Sequence, residues 1–299
     1  MENFKEELMA RQKAAEEVVL KYMPAPEGLQ KTVIEAMNYG VGTGGKRLRP
    51  LLMHETYVMF GGNNLIVEPF MAAIEMIHNY SLIHDDLPAM DNDEYRRGKK
   101  TTHAVFGETM GILAGDGLLN FAYETAAKSF DLSCSMREII YCADALKVLS
   151  RKAGIYGMVG GQVVDIESEG KEIPLETLEF LHRNKCGALI EAAMLCGAML
   201  AGASEEEKKI IEKAAGNIGL AFQVQDDILD ETSTTEELGK PVGSDEKNHK
   251  STYVSLLGLE RSREIVRELS DEAIGLLKSL PYDSEFLTTL FEELVNRRY

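Results

Sequence analysis

The sequence predicts an all-α protein. Three observations carry this expectation: apolar residues recur at helical spacing over long stretches, alternating strand patterns bounded by turn dipeptides are missing, and Val, Ile and Thr never gather into strand-like runs. The spacing predicts roughly ten helices packed as a bundle. With 299 residues, 44% of them hydrophobic, the chain can bury a large core.

Residues 4–22 place Leu8, Ala15, Val19 and Tyr22 on one stripe, and Pro24 and Pro26 stop that helix. GTGGKRLRP (42–50) reads as a glycine-rich turn leading into a proline-started helix. A helix over 69–86 starts at Pro69 and stops before Pro88. Others fit 107–130, 135–160 and 175–200. The stretch GALIEAAMLCGAMLAGA (187–203) is apolar nearly all round, as in the interior of a bundle. Gly157, Gly160 and Gly161 are expected to let helices approach closely. The helix over 204–231 opens on a capping box, Ser204 with Glu207 three residues on. The polar segment 231–251 reads as a loop, and helices over 251–258, 261–279 and 283–297 complete the chain. No linker, repeat or low-complexity block divides the sequence, so a single domain over 1–299 is expected.

Charge and cysteines narrow the function. The net charge of −17 disfavours nucleic acid, whose phosphates such a surface repels. The four cysteines, Cys134, Cys142, Cys186 and Cys196, form no CxxC and no zinc spacing, which suits thiols in a reducing compartment. The N-terminus lacks the apolar core of a signal peptide, and no run of about 18 apolar residues would span a membrane. A cytoplasmic protein is expected.

Two carboxylate clusters carry the chemistry. The first is Asp85, Asp86 and Asp91; the second is Asp226, Asp227 and Asp230. Asp226 and Asp230 are four apart and share a helix face, a spacing at which like charges destabilise an isolated helix. Their neighbours GLAFQ and IL are not those of a solvated face. An acidic helix end taken alone also fits a plain surface; two such ends, each closing an apolar helix, favour neutralisation by a hard cation. Oxygen-only donors point to Mg²⁺ rather than zinc. Because Mg²⁺ takes one or two carboxylates plus substrate phosphates, two facing clusters predict a diphosphate substrate.

Cations follow the same logic. Arg96 and Arg97 trail the first cluster, and Lys46, Arg47 and Arg49 follow the glycine pair. Guanidinium groups match phosphate oxygens in bidentate fashion. GGKRLRP lacks Walker spacing and also fits a solvated basic turn. Lys185, Lys240 and Lys250 are further candidates. A lone helix His is most often structural, yet His78 shares a face with Ile74, Ser81 and Asp85, and that face ends in the carboxylates.

The ordered set GGKRLRP, EMIHNYSLIHDDLPAMDNDEYRRG, LAGDGLL, GMVGGQVVD, LHRNKCGALI, LAFQVQDDILD and GKPVGSDEKNHKSTYVSLLGLE resembles the trans-isoprenyl diphosphate synthases of the bacterial farnesyl/geranylgeranyl type. The resemblance implies an isoprenoid synthase-type helical bundle around a deep central cavity, assembled as a homodimer. It implies head-to-tail 1'-4 condensation of an allylic diphosphate, dimethylallyl then geranyl, with isopentenyl diphosphate. By that likeness Asp85 and Asp91 ligate two Mg²⁺ with Asp86 supporting, and Asp226 holds a third with Asp227 and Asp230 close by. Arg96, Lys185, Gln223 and Lys240 hold or face the allylic diphosphate, and Lys250 closes over the phosphates. Lys46, Arg49, His78 and Arg97 hold isopentenyl diphosphate.

Tyr80 lies five residues before Asp85, roughly 7.5 Å along a helix axis at 1.5 Å per residue. With Ser81 it is expected to limit product length, giving farnesyl diphosphate (C15) with C10 and C20 as alternatives. Class I terpene cyclases share the metal chemistry but usually lack the second DDxxD and the Lys46, Arg49 and His78 set. Non-catalytic partner subunits tend to lose one Asp motif. Cys186 stands where the family usually has Thr, and a thiol is the poorer donor. Gly111 and Gly117 stand where Ala is common and are expected to loosen local packing.

Overall fold

The computed structural model describes residues 2–232 and 251–297, with side chains from Phe4 onward. Its described residues are helical apart from turns and one short hairpin. Two compact units emerge, one of residues 1–54 and 63–146, the other of 55–62 and 147–299.

The first unit contains α1 (Glu2–Lys21), α2 (Lys31–Gly42), the start of α3 (Leu48–Met59), α4 (Val67–Asp85), α5 (Thr102–Phe106), α6 (Glu108–Leu132) and most of α7 (Met136–Ala153). Pro50 and Pro69 fall in the first turns of α3 and α4, where a missing N–H costs nothing. Helix α4 is the core element: Phe70, Ala72, Ala73, Ile74, Met76 and Ile77 are all fully buried. It packs chiefly on α6 and also meets α1 and α2. The expected α1 stripe holds at Ala15 and Val19. Gly111 and Gly117 do not loosen the packing: a Cβ there would meet Leu87 Cδ2 at 3.0 Å or Met37 Sδ at 2.9 Å. Neighbouring side chains have closed onto both positions.

A hairpin after the first cluster was not foreseen. Strands β1 (Tyr95–Arg96) and β2 (Lys99–Lys100) pair antiparallel, Tyr95 with Lys100 and Arg96 with Lys99. Two residues per strand are too few to show alternation. The turn residues Arg97 and Gly98 both have positive φ, 53° and 73°, as tight hairpin turns require.

The second unit contains the end of α3 and of α7, then α8 (Met158–Ser168), α9 (Leu175–His182), a π-helical turn (Arg183–Gly187), α10 (Ala188–Leu200), α11 (Glu205–Thr232), α12 (Tyr253–Leu257), α13 (Leu259–Lys278) and α14 (Glu285–Asn296). The expected helix over 135–160 breaks at 154–157. Gly157 and Gly160 serve that break, since a Cβ on either would strike the backbone carbonyl of Lys152 or Ile155. Only Gly161 brings elements together. The capping box is present: Ser204 N–H donates to Glu207 Oε2 at 2.7 Å and Glu207 N–H to Ser204 Oγ at 3.3 Å. Helix α10 is buried almost throughout, and α11 packs on both α10 and α13.

No disulfide links the four cysteines. Among the described residues no helix is long and apolar enough to cross a membrane.

Candidate active site

Helix α4 ends at Asp85, and the chain turns back on it. Asp91 N–H donates to Asp85 O at 2.8 Å, which brings the two sequence-predicted ligands together. Asp91 is exposed and Asp85 half-buried, so both can meet a ligand. Asp86 is buried and accepts from Arg96 Nε at 2.7 Å. Burial lifts the Asp86 carboxyl to about 6, a rise that Arg96 opposes. Arg96 is therefore tied to the cluster itself, and Asp93 Oδ2 lies 3.9 Å from its other nitrogen.

Seven residues earlier, about two helical turns along α4, His78 sits within a group of arginines. Burial first, then the charges of Arg49, Arg97, Arg96 and Arg47, hold its imidazole well below the usual value. It is neutral at physiological pH and can donate or accept without adding charge. The expected grouping of Arg49, His78 and Arg97 is thus present. Arg97 NH1 donates to Gly44 O, which ties the hairpin to the glycine-rich turn. Lys46 in that turn is exposed.

Arg47 differs from its neighbours. With φ of 47° it turns inward and is 3% exposed. Its guanidinium donates to Glu75 Oε1 at 2.8 Å, Val41 O at 2.7 Å and Glu16 Oε1 at 3.2 Å. Asn79 Nδ2 adds a 2.7 Å bond to Glu75 O. This network anchors the turn that presents Lys46 and Arg49, and sequence type alone does not distinguish its arginine from theirs.

His78 yields a pH prediction. Its folded pKa is depressed, so above about 6.5 it is neutral in both folded and unfolded chains. As pH falls below that, the unfolded chain takes the proton and the folded one does not, and stability is lost. Replacing His78 by Gln is expected to flatten the decline of unfolding free energy between about pH 6.5 and 5. Urea unfolding across that window checks it, and an unchanged slope contradicts it.

In the second unit a cavity of ≈ 270 Å³ is lined by Asp165, Lys185, Cys186, Gln223, Asp226 and Asp227, among others. Lys185 projects from the π-helical turn and pairs with Asp165 Oδ2. π-Helical turns recur at functional sites because they re-aim one side chain out of helical register. On α11, Gln223 Nε2 lies 3.5 Å from Asp226 Oδ2. Asp227 is buried and held from two sides: Tyr253 N–H donates to Oδ2 at 2.8 Å, and His182 Nε2 lies 3.2 Å from the same oxygen. The His182 ring stacks on Tyr253 at 5.7 Å. Asp230 is buried as well.

Sequence reasoning missed Asp165, His182 and Arg297. Arg297, just beyond α14, bonds Asp226 Oδ1 at 2.5 Å. Asp165 and His182 lay within quoted motifs, as the last residue of GMVGGQVVD and the second of LHRNKCGALI, whereas Arg297 carried no signal. Lys240 and Lys250 lie outside the described residues.

The donors fit Mg²⁺. All are carboxylate oxygens, and Asp85 and Asp91 lie together at an accessible helix end. Among the described residues no three acidic, His or Cys side chains converge on a metal position. A shell completed by substrate and water oxygens is the usual arrangement for this ion.

The polyprenyl synthetase family model matches residues 30–283. The chain belongs to that family. The farnesyl diphosphate synthase of Escherichia coli strain K12 is 44% identical over 99% of both chains. That of Geobacillus stearothermophilus is 42% identical over 98% of this chain and 97% of its own. A geranylgeranyl diphosphate synthase of Cyanophora paradoxa is 44% identical over 89% of this chain and 87% of its own. Among solved structures, an FPP/GFPP synthase from Zymomonas mobilis superposes with a TM-score of 0.84 at 32% identity, over 98% of this chain and 99% of that one. Polyprenyl synthetase membership thus rests on residues 30–283 and on relatives aligned over nearly the whole chain, and the all-α fold class matches that of the solved relative.

Proposed function

We propose that this polyprenyl synthetase is a trans-prenyltransferase that joins isopentenyl diphosphate to dimethylallyl and then geranyl diphosphate, giving mainly farnesyl diphosphate and free diphosphate. One observation carries the reading. Helix α4 carries His78, with the charges of Arg47, Arg49, Arg96 and Arg97 acting on it, about two turns before Asp85, whose backbone carbonyl holds Asp91 beside it. Such a pairing suits one metal-bound diphosphate beside one held by cations alone. The full-length likeness to farnesyl diphosphate synthases supports it further.

In this reading Asp85 and Asp91 hold two Mg²⁺ and Asp226 a third, with Asp86, Asp227 and Asp230 shaping those positions. Bound Mg²⁺ neutralises the departing diphosphate and so promotes ionisation of the allylic C–O bond. The family resemblance assigns Lys185, paired with Asp165, and Gln223 to the allylic diphosphate, and assigns Arg96 to it as well. Lys240 and Lys250, outside the described residues, are assigned to the same diphosphate by the resemblance alone. Lys46, Arg49 and Arg97 hold isopentenyl diphosphate, and His78 donates a hydrogen bond to it without charge. The apolar residues of α4 exclude water from the carbocation. In this reading the protein acts as one domain in the cytoplasm and as a homodimer, as the family resemblance implies.

Incubating purified enzyme with Mg²⁺, dimethylallyl diphosphate and isopentenyl diphosphate is expected to give C15 product. With geranyl or farnesyl diphosphate as sole substrate the enzyme should leave it intact, whereas a cyclase would consume it. Mainly C20 or longer product would overturn the C15 assignment.

Tyr80 sets the length in this reading. It is buried, and burial pushes its phenol up to about 12. Its ring meets His84 edge-on at 5.7 Å, which fixes its orientation. Ser81 caps its own turn by donating to His78 O at 2.8 Å. Tyr80→Ala is expected to shift the main product to C20 or longer by chromatography of the hydrolysed alcohols. An unchanged distribution removes Tyr80 as the floor.

A further inference from the structure

Arg297 is the residue that the proposed reaction leaves unused, and it stands on one of the proposed metal ligands. Its guanidinium carbon Cζ lies over the Phe222 ring, 3.7 Å from the centroid. One nitrogen donates to both Phe222 O at 3.1 Å and Asp226 Oδ1 at 2.5 Å. The side chain is 12% exposed while that of Asp226 is 47% exposed, so the contact sits at the rim of the cavity. Its Nε–H is buried and has no partner among the described residues. Compare Arg47, whose guanidinium bonds three different oxygen acceptors in the core. Arg297 is held by stacking and by a single nitrogen, an arrangement that can yield one oxygen at small cost.

We propose that Arg297 is a resident counter-ion for Asp226, occupying the carboxylate oxygen that a divalent cation takes when the second cluster is loaded. The inference rests on the reading of Asp226 as a metal ligand. Coulomb's law gives it direction. A guanidinium at hydrogen-bond distance stabilises the carboxylate anion without metal, and it must give up Oδ1 before a dication can bind there. Stacking on Phe222 keeps the arginine close after release. Metal loading at Asp226 is thereby coupled to the attachment of Arg297 after α14. Arg297 tunes metal affinity; it is a positioning residue and touches no reacting atom.

The test titrates Mn²⁺ into the full-length protein with inorganic diphosphate present, reading bound Mn²⁺ by electron paramagnetic resonance. Arg297→Gln is expected to tighten the Asp226-dependent binding step roughly fivefold, because one charge-assisted bond no longer competes. Arg297→Lys, which keeps the charge, is expected to stay near wild type. Asp226→Asn must abolish that step; if it does not, the metal reading of Asp226 fails. If Asp226→Asn abolishes the step but Arg297→Gln leaves it unchanged or weaker, the counter-ion proposal fails while the metal reading stands. Hydrogen exchange in wild-type protein supplies a readout free of substitution. Amides of 291–297 should exchange faster once Mn²⁺ and diphosphate are bound, and equal or slower exchange overturns the proposal.

Discussion

Glu75→Ala is expected to cost about 3–5 kcal/mol of folding stability, as removal of one partner from a buried ion pair does. Glu75 is 2% exposed and Arg47 3%, so water cannot replace the lost carboxylate. The remaining acceptors cannot compensate. Val41 O is a neutral carbonyl, and Glu16 approaches only to 3.2 Å with a side chain 42% exposed. Glu16→Ala is accordingly expected to cost at most about 1 kcal/mol. The double replacement Arg47→Met with Glu75→Leu should recover much of the loss, because the unpaired charge rather than the missing bond dominates. Urea unfolding of the three variants measures all of this. A Glu75→Ala cost below about 1 kcal/mol would show that Arg47 finds water or another anion. At temperatures where the variant stays folded, KM for isopentenyl diphosphate should rise more than kcat falls. The turn presenting Lys46 and Arg49 loses its anchor, while the carboxylate cluster two turns away keeps its geometry.

The same network shows what one sequence can and cannot reveal. Helical periodicity identified α4 and α11, and the carboxylate patterns at their ends singled out Asp85, Asp91 and Asp226. Those signals are local, set by neighbours on one helix. Arg47 and Arg49 are chemically alike and two residues apart, and only a positive φ turns one of them inward. The pairing of His182 with Asp227 spans 45 residues, and that of Arg297 with Asp226 spans 71. No periodicity connects such positions. The π-helical turn was hidden for a different reason. Apolar residues recur at helical spacing on both sides of HRNKC within 175–200, and one extra residue in a turn leaves that pattern looking like one ordinary helix.

That turn carries the other large effect: Gly161→Ala is expected to lower kcat by about a hundredfold. A Cβ at Gly161 would stand 2.1 Å from Lys185 N and 2.7 Å from both Asn184 C and Lys185 Cα. These are backbone atoms, so no rotamer change relieves the contact; α8 or the turn must move. Asp165 lies one turn beyond Gly161 on α8, and its carboxylate holds Lys185 Nζ. Displacing the turn from α8 therefore misplaces the ammonium that faces the allylic diphosphate and strains its tether. Overpacking of this kind also costs stability, about 1–3 kcal/mol or more. Gly219 on α11 provides the comparison. It approaches the same turn, but a Cβ there would meet Gly187 Cα at 3.1 Å, a contact that a shift of a few tenths of an ångström relieves. Gly219→Ala should therefore retain most of the activity. Steady-state kinetics of both variants, with circular dichroism to confirm folding, decide the matter. If Gly161→Ala keeps wild-type kcat, the backbone position of Lys185 does not limit the reaction. If both alanines fall equally, general disruption of the turn explains the loss, and the specific contact at Lys185 does not.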